Sequence, residues 1–208
     1  GQVVVYANGV PVASTQKADY GNSQIGYMLG AGTRLRYKAF NLNLLFDARK
    51  GGLMFSRTAD ILHFTGNSVT TSYNDRKPFI VPNSVVKIDN GDGTFTYEEN
   101  TTAVDPAHMD DYHRADAFDR SNVIDKSFVK LRELALTYNL PSKTMEKMPF
   151  EGMSISLIGR NLILWTPVDN QYIDPEVTTF GNGIGAEYGE FSASPTTRSY
   201  GFALRFTL

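Results

Sequence analysis

The sequence predicts an all-β fold, in which five long antiparallel strands form part of a transmembrane β-barrel with long extracellular loops. Three observations carry this reading. Five segments alternate apolar and polar residues with period 2, over lengths close to the roughly 9–11 residues of a tilted outer-membrane strand. The connections between them run very short (38–39), very long (50–126), short (141–152) and long (165–196), which is the rhythm of periplasmic turns and extracellular loops. Of the 208 residues 41% are hydrophobic and 12% aromatic, yet no apolar run approaches the ~18 residues of a membrane helix.

Charge and cysteine content remove other classes. Lys and Arg number 20 against 22 Asp and Glu, a net charge of −2, so the strongly basic face of a nucleic-acid binder is not expected. With no cysteine, disulfides, thiolate metal sites and a cysteine nucleophile are all ruled out.

The elements follow in order. Residues 2–6 are β-rich, and Asn8-Gly9 signals a hairpin turn into residues 10–13. The chain starts at Gly1 without a charged n-region and apolar stretch, so no export signal is read here, and residues 1–26 are expected to end a preceding extracellular loop. In 27–37, Tyr27, Leu29, Ala31, Thr33, Leu35 and Tyr37 share one face, while Arg34 and Arg36 share the other with Met28, Gly30 and Gly32. A register slip of one residue would point both arginines into lipid, at roughly 2–4 kcal/mol for each one near the midplane. In 40–49, Phe40, Leu42, Leu44, Phe46 and Ala48 oppose Asn41, Asn43, Leu45, Asp47 and Arg49. Within 50–126, residues 56–64 suit a short helix, Asn90-Gly91-Asp92-Gly93 turns a local hairpin, and 105–120 is acidic and helix-tolerant.

The third long strand, 127–140, has a clean apolar face only in its second half (Leu134, Leu136, Tyr138, Leu140); Lys130 and Arg132 fall on that face further up and are expected above the lipid, at the rim. Pro141 stops it, and 142–148 reads as one helical turn with Ser142 as N-cap. Strand 153–164 alternates Met153, Ile155 and Leu157 with Ser154, Ser156 and Arg160, although Ile158 blurs the pattern. The last strand, 197–208, alternates Tyr200, Phe202, Leu204, Phe206 and Leu208 with Ser199, Gly201, Ala203, Arg205 and Thr207. Five strands neither close a barrel nor protect their edges in lipid, so the expectation is the C-terminal portion of one larger barrel, with extracellular loops at 1–26, 50–126 and 165–196.

The run Ser127-Phe128-Val129-Lys130-Leu131-Arg132, continuing through Tyr138-Asn139-Leu140-Pro141, resembles a strand block of SusC/RagA-type TonB-dependent outer-membrane transporters. Gly159-Arg160-Asn161-Leu162, Asp174-Pro175-Glu176, Pro195 to Arg198 followed by Gly201, and Tyr37-Lys38-Ala39-Phe40 with Asp47-Ala48-Arg49-Lys50-Gly51-Gly52 resemble further blocks of that family, in the same order. The resemblance implies a barrel of about 22 strands in the bacterial outer membrane, whose plug domain and TonB-contact region are absent from this chain. It also implies a SusD-like surface lipoprotein as partner, coupling to the TonB complex, and an oligosaccharide or peptide as solute. A passive porin or adhesin barrel, and a soluble glycan-binding β-sandwich, are the competing readings.

Candidate functional residues follow. The arginines and the aspartate expected to face the lumen (Arg34, Arg36, Asp47, Arg49, Arg160, Arg205) either tune solute passage or form inter-strand ion pairs. Trp165, Tyr172 and Phe180, in the 165–196 loop, have the chemistry to stack on sugars or pack on peptide side chains; Trp165 equally suits an interfacial girdle. No metal or other cofactor is expected. His108 and His113 with Asp110 and Asp111 match no zinc spacing, and Asp89 to Gly93 lacks the distal glutamate of a calcium loop. The sequence shows no nucleophile elbow, phosphate loop or dinucleotide fingerprint in a useful context, so no enzymatic activity is expected.

Overall fold

The computed structural model describes residues 1–114, 120–146, 148–181 and 183–207. They divide into two units: residues 1–21, 54–124 and 179–192, and residues 22–53, 125–178 and 193–208.

The second unit is built on a five-stranded sheet. Its strands are β2 (Tyr27–Tyr37), β3 (Phe40–Lys50), β8 (Phe128–Asn139), β9 (Gly152–Trp165) and β11 (Ser199–Thr207). Every pairing is antiparallel and joins strands consecutive along the wall, in the order β11-β9-β8-β3-β2. Among the described residues, no further strand pairs with the outer edge of β2 or of β11. Leu208, expected on the apolar face of the last strand, lies outside the described residues.

Cross-strand partners share a face, so the register sorts the side chains. Leu42 stands between Leu35 and Leu136, Leu44 between Thr33 and Leu134, and Leu157 between Leu136 and Phe202. This face is apolar from β2 to β11. Aromatic rings gather at its two ends. Phe40 and Tyr138 lie 4.8 Å apart beside Tyr37, and Phe150 and Phe206 lie 4.9 Å apart; at the opposite end of the strands stand Tyr27 and Trp165. The other face carries Arg34 opposite Asn43, Arg36 opposite Asn41, and Arg205 opposite Ser154. Ile158, which blurred the alternation, sits on this face between Ala135 and Gly201.

Irregularities in β8 and β9 correct one expectation. The register of β8 shifts at Arg132: Glu133 lies opposite Leu45 but Leu131 opposite Phe46, so Arg132 is an extra residue relative to β3. A matching shift on β9, at Asn161 and Leu162, keeps the ladder aligned. A bulge inverts the face of everything beyond it. Val129 and Leu131 therefore take the apolar face, and Lys130 joins the polar face opposite Asp47. Lys130 and Arg132 are not lipid-side residues raised to the rim. A second correction is small: Pro141, not Ser142, occupies the N-cap of α3 (Ser142–Met145), with no side-chain cap bond.

The first unit is formed mostly by the long connection, which folds rather than trailing as a loop. β1 (Val3–Val5) runs parallel to β5 (Ser84–Asp89), which pairs with β6 (Phe95–Glu99) across the Asn90–Gly93 turn. The chain does reverse at Asn8-Gly9, but the returning stretch makes only one β-bridge, Val5 to Pro11. Gly9 has φ +81°, and a Cβ there would lie 2.8 Å from the Thr102 carbonyl, so the tight turn needs glycine. Val5, Val10, Phe79, Val81 and Val104 make the core, against which Met109 and Tyr112 pack. Tyr73 and Tyr112 meet the Phe79 ring edge-on at 4.9 and 5.1 Å.

The expected short helix is α1 (Arg57–Phe64), with Ser56 as its N-cap. It follows β4 (Leu53–Ser56), the middle strand of a small sheet with β10 (Gly189–Glu190) and β7 (Val123–Asp125). The acidic stretch at 105–120 forms a short 3₁₀ turn and α2 (Met109–Arg114); its residues 115–119, and residue 147 of the expected turn after Pro141, lie outside the described residues. The 165–196 connection contains α4 (Gly185–Tyr188).

Candidate functional site

The bulge in β8 places two cations where the loop after β9 crosses the polar face of the sheet. Lys130 is 1% exposed, and a buried ammonium is costly unless it is paired. Its Nζ donates to Asp174 Oδ2 at 2.8 Å, to Glu176 Oε2 at 2.6 Å and to Thr196 Oγ1 at 3.1 Å. An ammonium has three donors, and all three are used. Arg132 donates to Asp47 Oδ2 through Nη2 at 2.6 Å and Nε at 3.2 Å, and to Glu176 Oε2 through Nη1 at 2.8 Å, with a further contact from Nη2 to Glu176 Oε1.

The loop side of the cluster is equally closed. Thr196 donates to Asp174 Oδ2 through its backbone N–H at 3.1 Å and its hydroxyl at 2.6 Å. Asp174 Oδ1 accepts the Glu176 N–H at 3.2 Å. Burial resists ionisation of Asp174, but the bonds from Lys130 and Thr196 outweigh it and hold the carboxyl below its ordinary range. Glu176 is likewise held down against burial by Arg132 and Lys130. Both stay ionised at neutral pH, so the cluster fixes residues 174–176 and 196 to the strand wall as a charged clamp.

The sequence singled out Asp47 from this cluster as a lumen-facing residue, but not Lys130, Arg132, Asp174, Glu176 or Thr196 as site residues. The available signal was a pair of cations where apolar residues belonged, in a strand whose alternation failed at that point.

The other candidates lie apart from it. Arg34 Nε donates to Asn43 Oδ1 at 2.9 Å, and Arg160 Nε to Glu133 Oε2 at 3.1 Å, both at exposed positions. The Arg49 guanidinium lies 5.2 Å from the Phe128 ring centroid. Arg36 and Arg205 stand on the same polar face. Trp165 lies opposite Val129, on the apolar face. Tyr172 is in the loop after β9, and Phe180 belongs to the other unit, so the three aromatics do not form one cluster within a unit.

Among the described residues, no group of three or more His, Asp or Glu side chains is placed to hold a metal ion. The Asp89–Gly93 turn uses its own oxygens: Asp89 Oδ1 accepts from Gly91 N–H at 2.8 Å, and Asp92 Oδ1 accepts from both Thr94 N–H and its hydroxyl.

No family model matches the chain. A TonB-dependent receptor of Formosa agariphila is 25% identical over 204 residues, covering 93% of this chain and 17% of that protein. A second TonB-dependent receptor from the same strain is 42% identical over 67 residues, 30% of this chain and 6% of that protein. Both curated relatives are TonB-dependent receptors, and the chain is similar to them. Two solved states of the RagAB peptide importer share its fold. The open-open state superposes with TM-score 0.51 at 19% identity over 87% of this chain and 16% of that one, and the closed-closed state with TM-score 0.51 at 19% identity over 96% and 20%. The chain thus spans only about a sixth to a fifth of the length of these longer relatives. Four of the blocks in which this chain resembles SusC/RagA-type transporters converge on the clamp: the block that runs to Gly52 supplies Asp47, the β8 block Lys130 and Arg132, the Asp174-Pro175-Glu176 block two carboxylates, and the block beginning at Pro195 Thr196.

Proposed function

We propose that this chain forms five neighbouring strands and the extracellular loops of an outer-membrane importer driven through TonB, whose whole barrel has about 22 strands. The observation that carries the reading is the sheet. One face is apolar across all five strands with aromatics at both ends, and the other carries arginines, asparagines and Asp47. Such a sheet suits lipid on one side and an aqueous lumen on the other, and its unpaired edges call for neighbouring strands. Arg34, Arg36, Arg49, Arg160 and Arg205 then line the lumen beside the clamp. The solute is an oligosaccharide or a peptide, held beneath a SusD-like lipoprotein, and Tyr172 and Phe180 are the loop aromatics offered to it. The relatives named for TonB-dependent reception and peptide import support this reading.

The test uses the native protein in its own membrane. Outer-membrane extract is run on a semi-denaturing gel unheated and boiled, and probed for this chain. A mobility shift on boiling is expected of a folded barrel, whereas a non-shifting soluble species overturns the reading. Uptake of labelled peptides and oligosaccharides, with and without a protonophore, then separates an energised importer from a passive pore.

A further inference from the structure

The first unit leaves one strand edge open. In the sheet of β1, β5 and β6, the outer side of β1 is covered. There the Tyr6 N–H donates to the Val10 carbonyl and the Val12 N–H to the Val4 carbonyl, each at 2.8 Å. At the other side of the sheet, no described residue pairs with the outer edge of β6. The ladder with β5 shows which backbone groups point outward. The Asn100 N–H donates to the Ser84 carbonyl and the Asn90 N–H to the Thr94 carbonyl, each at 3.1 Å. Bonded and non-bonded pairs alternate in an antiparallel ladder, so the bonded pairs in between are Val86 with Glu98 and Ile88 with Thr96. Phe95, Tyr97 and Glu99 therefore turn their N–H and C=O groups away from β5. All five residues of β6 are exposed, Tyr97 at 56%.

An open row of backbone donors and acceptors is a template for one more strand, and the side chains set the charge of that strand. Within the hairpin Asp89, Asp92, Glu98 and Glu99 stand against Lys87 alone. The Lys87 ammonium itself lies 3.5 Å from the centroid of the Phe95 ring. Charges on an edge ordinarily keep it unpaired. Here they are of one sign, which repels a second copy or an acidic chain and favours a basic one. We propose that the outer edge of β6 binds an extended, lysine-bearing segment of a partner protein by strand addition. Its main chain bonds to Phe95, Tyr97 and Glu99, and its lysines lie beside Glu98 and Glu99. The inference concerns the first unit alone and holds whether or not the five-stranded sheet faces lipid.

The probe is a fluorescein-labelled octapeptide alternating lysine and valine, titrated into the purified full-length protein at low salt and read by fluorescence anisotropy. Two control peptides are used: one alternating glutamate and valine, and the lysine peptide methylated on its amide nitrogens, whose main chain cannot donate. Tyr97→Pro removes an outward N–H without breaking the bonds to β5, since proline is accepted on an edge where the N–H faces solvent. Unchanged amide protection at residues 85–89 shows that the hairpin is intact. The lysine peptide is expected to bind, and both controls and Tyr97→Pro to abolish binding. Glu98→Gln combined with Glu99→Gln should weaken it roughly two- to thirtyfold, as the loss of two cross-strand charge pairs. No binding of the lysine peptide, equal affinity for the glutamate or methylated peptide, or binding that survives Tyr97→Pro overturns the proposal. Slow exchange of the Phe95, Tyr97 and Glu99 amides in the free protein also overturns it, because the edge is then already paired within the chain. A dimer of the free protein that Tyr97→Pro dissociates overturns it in favour of a contact between two copies.

Discussion

Replacing Lys130 by alanine tests the clamp most directly. The substitution removes a fully enclosed ammonium with three short contacts, to Asp174, Glu176 and Thr196. Removing one partner of a buried pair costs roughly 3–5 kcal/mol, because the other charge stays buried without compensation. Here the remainder is partly compensated. Glu176 keeps Arg132, and Asp174 keeps both bonds from Thr196. The expected cost therefore lies at the lower end, about 3 kcal/mol, which corresponds to a roughly hundredfold rise in local opening. The assay is hydrogen–deuterium exchange on the solubilised full-length protein, read on peptides covering 173–177 and 194–198. The Glu176 and Thr196 amides, both bonded to Asp174, report the opening. Arg160→Ala is the control: its partner Glu133 is 37% exposed and Arg160 itself 62%, and a surface pair of this kind contributes roughly 0–1 kcal/mol. If Lys130→Ala changes exchange no more than Arg160→Ala does, the clamp reasoning is wrong.

Three further outcomes follow from the same structure. Because Asp174 and Glu176 are held below their ordinary values, their contribution is fully present above the unfolded carboxylate range and is lost as pH falls through the lower folded values; protection of 173–177 should be flat above about pH 5 and decline below about pH 4. His113 is held below its ordinary value by burial and by neighbouring His63, so the unfolded state takes up the proton first, and the protection of the α2 amides relative to intrinsic exchange at each pH should fall as pH drops below about 6.5. Leu44→Arg puts a charge on the apolar face between Thr33 and Leu134 and should cost roughly 2–4 kcal/mol in urea unfolding from vesicles; Asn43→Asp, which puts a charge one residue along on the polar face and keeps an acceptor for Arg34, should cost under about 1 kcal/mol on the same scale, and equal costs would mean that the two faces are not differently solvated.

The strands were legible because their signal is local. Tyr27 to Tyr37 and Ser199 to Thr207 alternate without interruption, and the structure gives strands over those residues. The Asn90–Gly93 hairpin and the helix after Ser56 were readable for the same reason, since turn and cap chemistry lies within a few residues. The parallel pairing of Val3–Val5 with Ser84–Val86 was not, because nothing near Val3 specifies a partner some eighty positions away. Nor was the role of Glu190, which accepts from the Ser56 hydroxyl at 2.5 Å and from the Thr58 hydroxyl at 2.7 Å, far back along the chain.

What the sequence determined by itself is the period of each strand and therefore the two faces of the sheet, because successive residues of a strand take opposite faces and residues two apart share one. What only the tertiary structure decided is where that period breaks. The bulge at Arg132 exists because β8 must align with β3 on one side and β9 on the other. Inverting the face moves Lys130 off the apolar side and under a loop whose Asp174 and Glu176 lie more than forty residues away. A buried ammonium is tolerable only with those partners in place, and their arrival depends on loop closure, which no local pattern encodes.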